Sequence, residues 1–116
     1  MSDFTIFTKK LRIEKNEKLK DMASKLKVTS SYLSAVEVGK RRIPFEWIYL
    51  LSNSYNLSSS EIDTLKKAYL QSCTEIKLDL SDATDKQKYL ALKITEKLQT
   101  LDSDALKKIL TILNKE

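Results

Sequence analysis

Residues 19–44 read LKDMASKLKVTSSYLSAVEVGKRRIP, and this stretch decides the fold. Four apolar side chains in its first part recur at helical spacing and predict a short helix: Leu19, Met22, Ala23 and Leu26. Thr29 is a good N-cap for a second short helix that runs through Val38. In that second helix Leu33 and Val36 face inward, so the stretch predicts two short helices packed on each other.

The two predicted helices are joined by a tight turn at Lys27-Val28, which makes a helix-turn-helix. The small side chain of Ala23 lets the second helix cross the first closely, and Val28 fills the angle between them. Spacing by itself leaves two interpretations open. The pair either reads DNA or is simply a packed pair of helices.

The residue types along this stretch narrow the choice. Three segments occur in order, namely Met22-Ala23-Ser24-Lys25-Leu26-Lys27-Val28-Thr29, Tyr32-Leu33-Ser34-Ala35-Val36-Glu37, and Gly39-Lys40-Arg41 with Pro44. In these residues, and over about residues 4–70, the chain resembles the XRE family of lambda-repressor-like DNA-binding domains. The resemblance implies a helical bundle that binds double-stranded DNA through the second helix of the pair, the recognition helix.

Other positions agree with the family pattern or depart from it. Arg12 and Glu37 stand where the family has an arginine–glutamate pair that ties the first helix to the recognition helix, so the resemblance implies a structural role for both. Lys27 replaces a usual turn glycine, which predicts slight strain in the turn. Leu19 replaces a common DNA-contacting glutamine, which removes one expected polar contact.

The outward face of the recognition helix carries small side chains. They let the helix lie deep in a major groove, which is about 12 Å wide. Serine hydroxyls can bond base edges there, and Ala35 and Val38 can touch thymine methyl groups; the alternative for the serines is ordinary solvent exposure. The predicted base or groove contacts are Thr29, Ser30, Ser31, Ser34 and Ala35.

Basic and aromatic residues flank this face. The Lys40-Arg41-Arg42 loop follows Gly39 directly and would meet the DNA backbone beside the groove, although such a triplet elsewhere is usually a solvated surface. Lys18 stands at a helix N-terminus, which attracts phosphate. Tyr32 projects to one flank. The predicted phosphate or minor-groove contacts are Lys18, Tyr32, Lys40, Arg41 and Arg42.

Outward from the helix-turn-helix, the pattern stays helical. Ser2 or Asp3 caps a first helix that ends near Lys15. Pro44 suits the first position of a fourth helix, because its fixed φ is helical and its missing N–H is not needed there. Residues 58–61, Ser-Ser-Ser-Glu, have the spacing of a capping box and start a fifth helix. These five helices account for residues 1–72, the predicted DNA-binding domain.

The pattern changes from Cys73 onward. Residues 75–80 alternate polar and apolar side chains, which indicates a short strand or an extended linker within 73–83. Residues 84–87 form another capping box and open a helix that carries Leu98 and Leu101 on its apolar side, and Ser103 caps a last helix. The predicted fold class is therefore all-α: a five-helix lambda-repressor-like bundle, a short extended segment and two C-terminal amphipathic helices.

The helical pair over residues 84–116 is too short to bury its apolar stripes alone. We expect a homodimer through residues 73–116, because proteins of this kind commonly bind two half-sites as dimers. Packing of the pair against the N-terminal bundle, and binding of a different protein partner, stay open as alternatives.

Composition excludes several classes of protein. The chain has 116 residues, no histidine and one cysteine, Cys73. Catalysis by an imidazole base and histidine-containing metal sites are therefore excluded, and we expect no enzyme activity, no cofactor and no metal. An unpaired cysteine fits a reducing compartment. No apolar run approaches the roughly 20 residues that span a bilayer, and the first residues lack signal-peptide features, so we expect a cytoplasmic protein without a membrane partner.

The positive charge lies in the first half of the chain. Residues 1–58 hold 11 Lys and Arg against 6 Asp and Glu, whereas residues 59–116 hold 10 of each. This asymmetry favours a first half that faces a polyanion, although a chance scatter of solvated lysines explains the charge alone equally well.

Together these observations predict a sequence-specific DNA-binding transcriptional regulator. The resemblance implies that such a protein occludes a promoter, most often as a repressor of its own or a neighbouring gene, and acts as a homodimer. The alternative is an antitoxin-like interaction protein. In that case the C-terminal helices bind a partner protein, and DNA binding serves autoregulation.

Overall fold

The computed structural model describes residues 1–115 and is all-helical over that range, which confirms the predicted fold class. The α-helices are α1 (Asp3–Glu14), α2 (Leu19–Lys25), α3 (Ser30–Glu37), α4 (Trp47–Ser54), α5 (Ser59–Leu70), α6 (Asp85–Lys97) and α7 (Ser103–Leu113), with a short 3-10 helix at Leu98–Thr100. The chain divides into two compact units, Met1–Ile76 and a second that begins at Lys77.

The first unit holds the hydrophobic core. Each of its five helices contributes at least one side chain that is almost fully buried: Phe4, Met22, Leu33, Trp47, Leu51 and Leu65. The Phe4 and Trp47 rings stack with their centroids 6.3 Å apart, so the start of α1 packs on the start of α4. These contacts hold α2 and α3 at a fixed angle to the rest of the bundle.

Four helices of this unit end in the same way. The residue after each C-cap is left-handed, with φ of 54° at Asn16, 60° at Lys27, 85° at Gly39 and 50° at Asn56. The next residue then donates its backbone N–H to the carbonyl five positions back, as in the bond of 3.0 Å from Val28 to Ala23. This is the Schellman motif, for which glycine and asparagine are the favoured residues. Lys27 is the exception among the four.

We expect Lys27→Gly to stabilise the protein by about 0.5–1 kcal/mol, because glycine has no Cβ to clash in the left-handed conformation. Thermal or urea unfolding measures the change. Lys10→Gly is the matched control, since Lys10 is also exposed but lies inside α1, where glycine should cost about 1 kcal/mol. Equal losses of stability in the two variants would contradict this reading of the α2–α3 turn.

The predicted caps of α1, α3, α5 and α6 are confirmed. The Ser2 and Thr29 side chains accept hydrogen bonds from the backbone N–H three residues on. The pairs Ser58–Glu61 and Thr84–Gln87 form reciprocal capping boxes. These predictions succeed because a cap involves residues only three apart, so the local sequence contains both partners.

Three predicted boundaries are wrong. Pro44 is not the first residue of α4, which begins at Trp47, because the backbone N–H groups of Trp47 and Ile48 bond to the carbonyls three residues back and form a tighter turn first. Asp102, rather than Ser103, caps α7 by accepting the N–H of Ala105 at 2.8 Å. Helix α6 ends at Lys97, so the stripe predicted through Leu98 and Leu101 is broken by the 3-10 helix.

The alternation over residues 75–80 does not produce a strand in the part of the chain that the structure describes. These residues have no regular secondary structure, and Ile76 and Leu78 are 67% and 66% exposed. The extended-linker alternative is the one that fits, because a strand needs a neighbouring strand for its backbone hydrogen bonds.

A polar contact also ties α4 to the α1–α2 turn. The Tyr55 hydroxyl donates to the Glu17 carboxylate, and the Lys25 ammonium pairs with the same carboxylate while lying 4.2 Å from the Tyr55 ring centroid. Burial and the bond to Glu17 raise the pKa of Tyr55. Partial burial favours protonated Glu17, but the hydrogen bonds from Lys25 and Tyr55 outweigh it and lower the pKa of that carboxyl. The network therefore links α2, through Lys25, to the α1–α2 turn and to the end of α4.

The second unit contains α6 and α7, and neither helix has a buried residue. Nine of its large apolar side chains beyond the linker are 39–66% exposed: Tyr89, Leu90, Leu92, Ile94, Leu98, Leu106, Leu110, Ile112 and Leu113. Over residues 1–115, no helix combines the length and the apolar character that crossing a bilayer requires.

Candidate nucleic-acid interface

The recognition helix is α3, and its two faces differ as the sequence predicts. Leu33 and Val36 are buried at 0% and 4% exposure, whereas Ser31, Ser34 and Val38 are exposed. The Thr29 hydroxyl oxygen accepts the N–H of Tyr32 at 3.1 Å and so serves as the N-cap of α3. The helix therefore presents a row of small side chains away from the core.

A buried ion pair orients α3 against α1. Glu37 at the end of α3 accepts two hydrogen bonds from Arg12, from Nη1 at 2.8 Å and from Nη2 at 3.1 Å. Thr8 donates to the same carboxylate, and Thr5 donates to the Glu37 backbone carbonyl at 2.6 Å. The structural role that the resemblance implies for Arg12 and Glu37 is thus confirmed, and the network sets the angle of α3.

The structure brings most of the predicted groove contacts together. Ser30, Ser31, Ser34, Ala35 and Lys40 line one shallow surface depression, which also includes Leu19 and Val38. Serine hydroxyls and apolar side chains both line it, so it offers hydrogen bonds to base edges as well as apolar contact to thymine methyls. We call this surface the reading face.

Sequence reasoning left Leu19 out of the predicted contacts, although the structure places it on the reading face. Its side chain is half-buried at the first position of α2. The sequence did contain a signal for this placement. Leu19 stands where the family commonly has a DNA-contacting glutamine, and a residue at that position faces the DNA-binding surface.

The basic loop is tied directly to the reading face. The backbone N–H groups of Lys40 and Arg41 donate to the Ala35 carbonyl at 2.9 and 3.3 Å. Gly39, with φ of 85°, makes the turn that allows these bonds. Loop and recognition helix consequently behave as one element, and the Lys40 side chain forms no ion pair within residues 1–115.

Arg41 and Tyr32 form a stacked pair at one flank. The Arg41 guanidinium carbon lies 4.9 Å from the Tyr32 ring centroid, and Tyr32 in turn packs edge-on against Trp47, with centroids 6.0 Å apart. The stack orders the arginine without neutralising it. Tyr32, predicted as a phosphate or minor-groove contact, therefore also packs against the Arg41 guanidinium.

Two of the residues predicted to contact phosphate have a carboxylate beside them. Arg42 Nη1 lies 3.3 Å from Glu75 Oε1. At the N-terminus of α2, the backbone N–H of Lys18 donates to Asp21 at 2.7 Å, so an acidic group already occupies the place that was expected to attract phosphate. Five predicted contacts lie outside the depression itself: Lys18, Thr29, Tyr32, Arg41 and Arg42.

The fold and this site define a class: a small helical protein that uses a helix-turn-helix to bind DNA. Residues 9–62 match the model of the helix-turn-helix family, over a range that contains α2, the turn and α3. These residues form a helix-turn-helix domain of the XRE type, and this domain supports a role of the protein as a DNA-binding regulator. No curated protein and no solved structure is significantly similar to the chain.

Proposed function

We propose that the protein is a sequence-specific transcriptional repressor that binds its operator as a homodimer and regulates its own gene. Two half-sites would each receive one α3 in the major groove, and occupied DNA would exclude RNA polymerase from the promoter. The proposal places this activity in the cytoplasm and assigns the protein no catalytic step, cofactor or metal.

The reading face is the observation that carries the proposal. Its small hydroxyl and methyl side chains make close approach to base edges possible. The Arg41 guanidinium and the Lys40 ammonium, which forms no ion pair within residues 1–115, supply phosphate contacts at its border. None of the reading-face side chains can form the two-pronged contact that Arg, Asn or Gln makes with a base edge. Each half-site therefore has modest discrimination, which favours a protein that reads two half-sites at once.

The exposed apolar side chains of α6 and α7, in the second unit, support the proposed homodimer. Helices of 11–13 residues are marginal in water unless an apolar face is covered. A standard interface buries about 800 Å² on each partner. The nine large apolar side chains at 39–66% exposure are the apolar surface that this unit offers to such an interface. A second copy of the same unit provides a matching surface under two-fold symmetry.

The same exposed side chains also support the second candidate, an antitoxin-like protein whose C-terminal helices bind a different protein. The two candidates differ in what covers the second unit. The purified protein alone is a dimer in the first case and a monomer in the second, so light scattering coupled to size-exclusion chromatography separates them.

The decisive experiment is a fluorescence-anisotropy titration with two labelled duplexes, one from upstream of the protein's own gene and one of scrambled sequence. We expect a preference for the upstream duplex of about a thousandfold or more at near-physiological salt. Equal and strongly salt-dependent affinity for both duplexes would contradict a specific autoregulator.

The same titration with the Arg41→Ala variant tests whether Arg41 contacts a DNA phosphate. We expect the substitution to weaken binding to both duplexes and to reduce the slope of log K against log salt by about one, because one phosphate contact is lost. Lys66→Ala is the control, since Lys66 is exposed on α5 and forms no ion pair among the described residues. A slope that stays the same in Arg41→Ala would remove Arg41 from the interface.

A further inference from the structure

The two neighbouring arginines of the basic loop have different partners. Arg41 stacks on a neutral tyrosine ring and keeps its positive charge available. Arg42 instead faces the carboxylate of Glu75, which is 33 residues away in the sequence, with Nη1 and Oε1 3.3 Å apart. Half of the guanidinium charge of this loop is therefore matched by an acidic group of the same chain.

Several local bonds place Glu75 beside the loop. At the end of α5, Gln71 donates to Asp3 at 2.6 Å and ties this end of the helix to the start of α1. The backbone then turns, with the Cys73 N–H bonded to the Leu70 carbonyl at 3.2 Å. The Cys73 thiol donates to the Glu75 carbonyl at 3.1 Å. Glu75 lies within the first unit, so its position relative to Arg42 belongs to one compact body.

The Arg42–Glu75 ion pair is weak enough for another anion to replace the Glu75 carboxylate. The side chains are 82% and 58% exposed, and ion pairs at such exposure contribute little to stability. Carboxylate and phosphate bind a guanidinium through the same planar array of N–H donors. A DNA phosphate that approaches the loop thus meets an arginine that already has an anionic partner, and the Glu75 carboxylate must leave before the phosphate can bind.

Resting on the proposed function, we propose that Glu75 is an intramolecular competitor of DNA phosphate for Arg42. With Glu75 in place, Arg42 contributes little to the electrostatic attraction that all DNA sequences share. The Arg42–Glu75 contact is autoinhibitory, because it lowers the affinity of the protein for DNA of any sequence. Arg41 and Lys40 remain available to contact DNA phosphates.

A double-mutant cycle with the full chain tests the proposal. The labelled duplex of scrambled sequence is titrated at several salt concentrations with the wild type, Glu75→Gln, Arg42→Ala and the double variant. We expect Glu75→Gln to tighten binding about two- to fivefold at low salt, and to steepen the slope of log K against log salt by up to about one, because Arg42 then reaches a phosphate. In the Arg42→Ala background the same substitution should have little effect.

Glu14→Gln is the matched control, because it removes the same charge from an exposed carboxylate of α1 that forms no ion pair among the described residues. A gain from Glu75→Gln that equals the gain from Glu14→Gln, or that persists without Arg42, would overturn the proposal, since either result is an effect of net charge alone. A wild type that binds no DNA at low salt would instead refute the proposed function, and the Glu75 mechanism with it. Thermal unfolding of each variant verifies that the first unit is folded.

Discussion

Replacing Glu37 with alanine should lower the free energy of unfolding by about 3–5 kcal/mol, since the Arg12 guanidinium would be left buried without its partner. The substitution also removes the acceptor for Thr8, and the side chains of Arg12 and Glu37 are only 9% and 5% exposed, so water cannot easily replace the lost bonds. For a domain of this size the loss corresponds to a decrease in Tm of more than about 10 °C. Thermal unfolding followed by circular dichroism measures it.

Two further variants make this prediction specific. Glu14→Ala removes an exposed carboxylate from α1 and should change stability by no more than about 0.5 kcal/mol. Replacing both partners, in Arg12→Met with Glu37→Leu, should cost less than either single replacement, because no charge is then left buried alone. If Glu37→Ala stays within about 1 kcal/mol of the wild type, the pair does not hold α3 as we describe.

Leu110→Glu is expected to convert the protein to a monomer and to weaken operator binding by about a hundredfold or more, because two linked half-site contacts become independent. Leu110 is 55% exposed on α7, together with the apolar side chains of Leu106 and Leu113. A carboxylate at this position would have to be desolvated in a helix–helix interface. Light scattering measures the mass in solution, and the anisotropy titration measures the affinity.

Thr111→Glu is the control for this prediction, since it adds the same charge one residue further on, away from the Leu106–Leu110 side of α7. It should remain dimeric. A Leu110→Glu variant that still dimerises would exclude α7 from the interface. A wild type that is already monomeric would contradict the homodimer and favour a different partner protein or packing within the chain.

Features of this fold that depend on neighbouring residues follow from the sequence, whereas features that depend on distant contacts do not. The caps by Ser2, Thr29 and Ser58 were predictable because each bond spans three residues. The start of α4 was not, since Pro44 satisfies the local rule for a helix start while the chain forms a tighter turn ahead of Trp47, whose ring is buried against Phe4 and Tyr32.

In the candidate site, too, some features follow from the local sequence and others depend on distant contacts. Helical periodicity placed Ser31, Ser34 and Ala35 on one outward face, and the structure brings them together on the reading face. Periodicity carried no information about the partners of Arg41 and Arg42. Tyr32 is nine residues from Arg41, Glu75 is 33 from Arg42, and neither contact follows from the spacing within one element.

The sequence by itself determined the all-α class, the helix-turn-helix and the location of the excess positive charge. Each of these depends on apolar period, capping and composition, which act over one or two helical turns. Only the tertiary structure decided which cation of the basic loop is ordered by an aromatic ring and which is matched by a carboxylate. Those contacts arise when α3, the loop and the end of α5 are packed by a common core, and the geometry of such packing is a property of the whole chain.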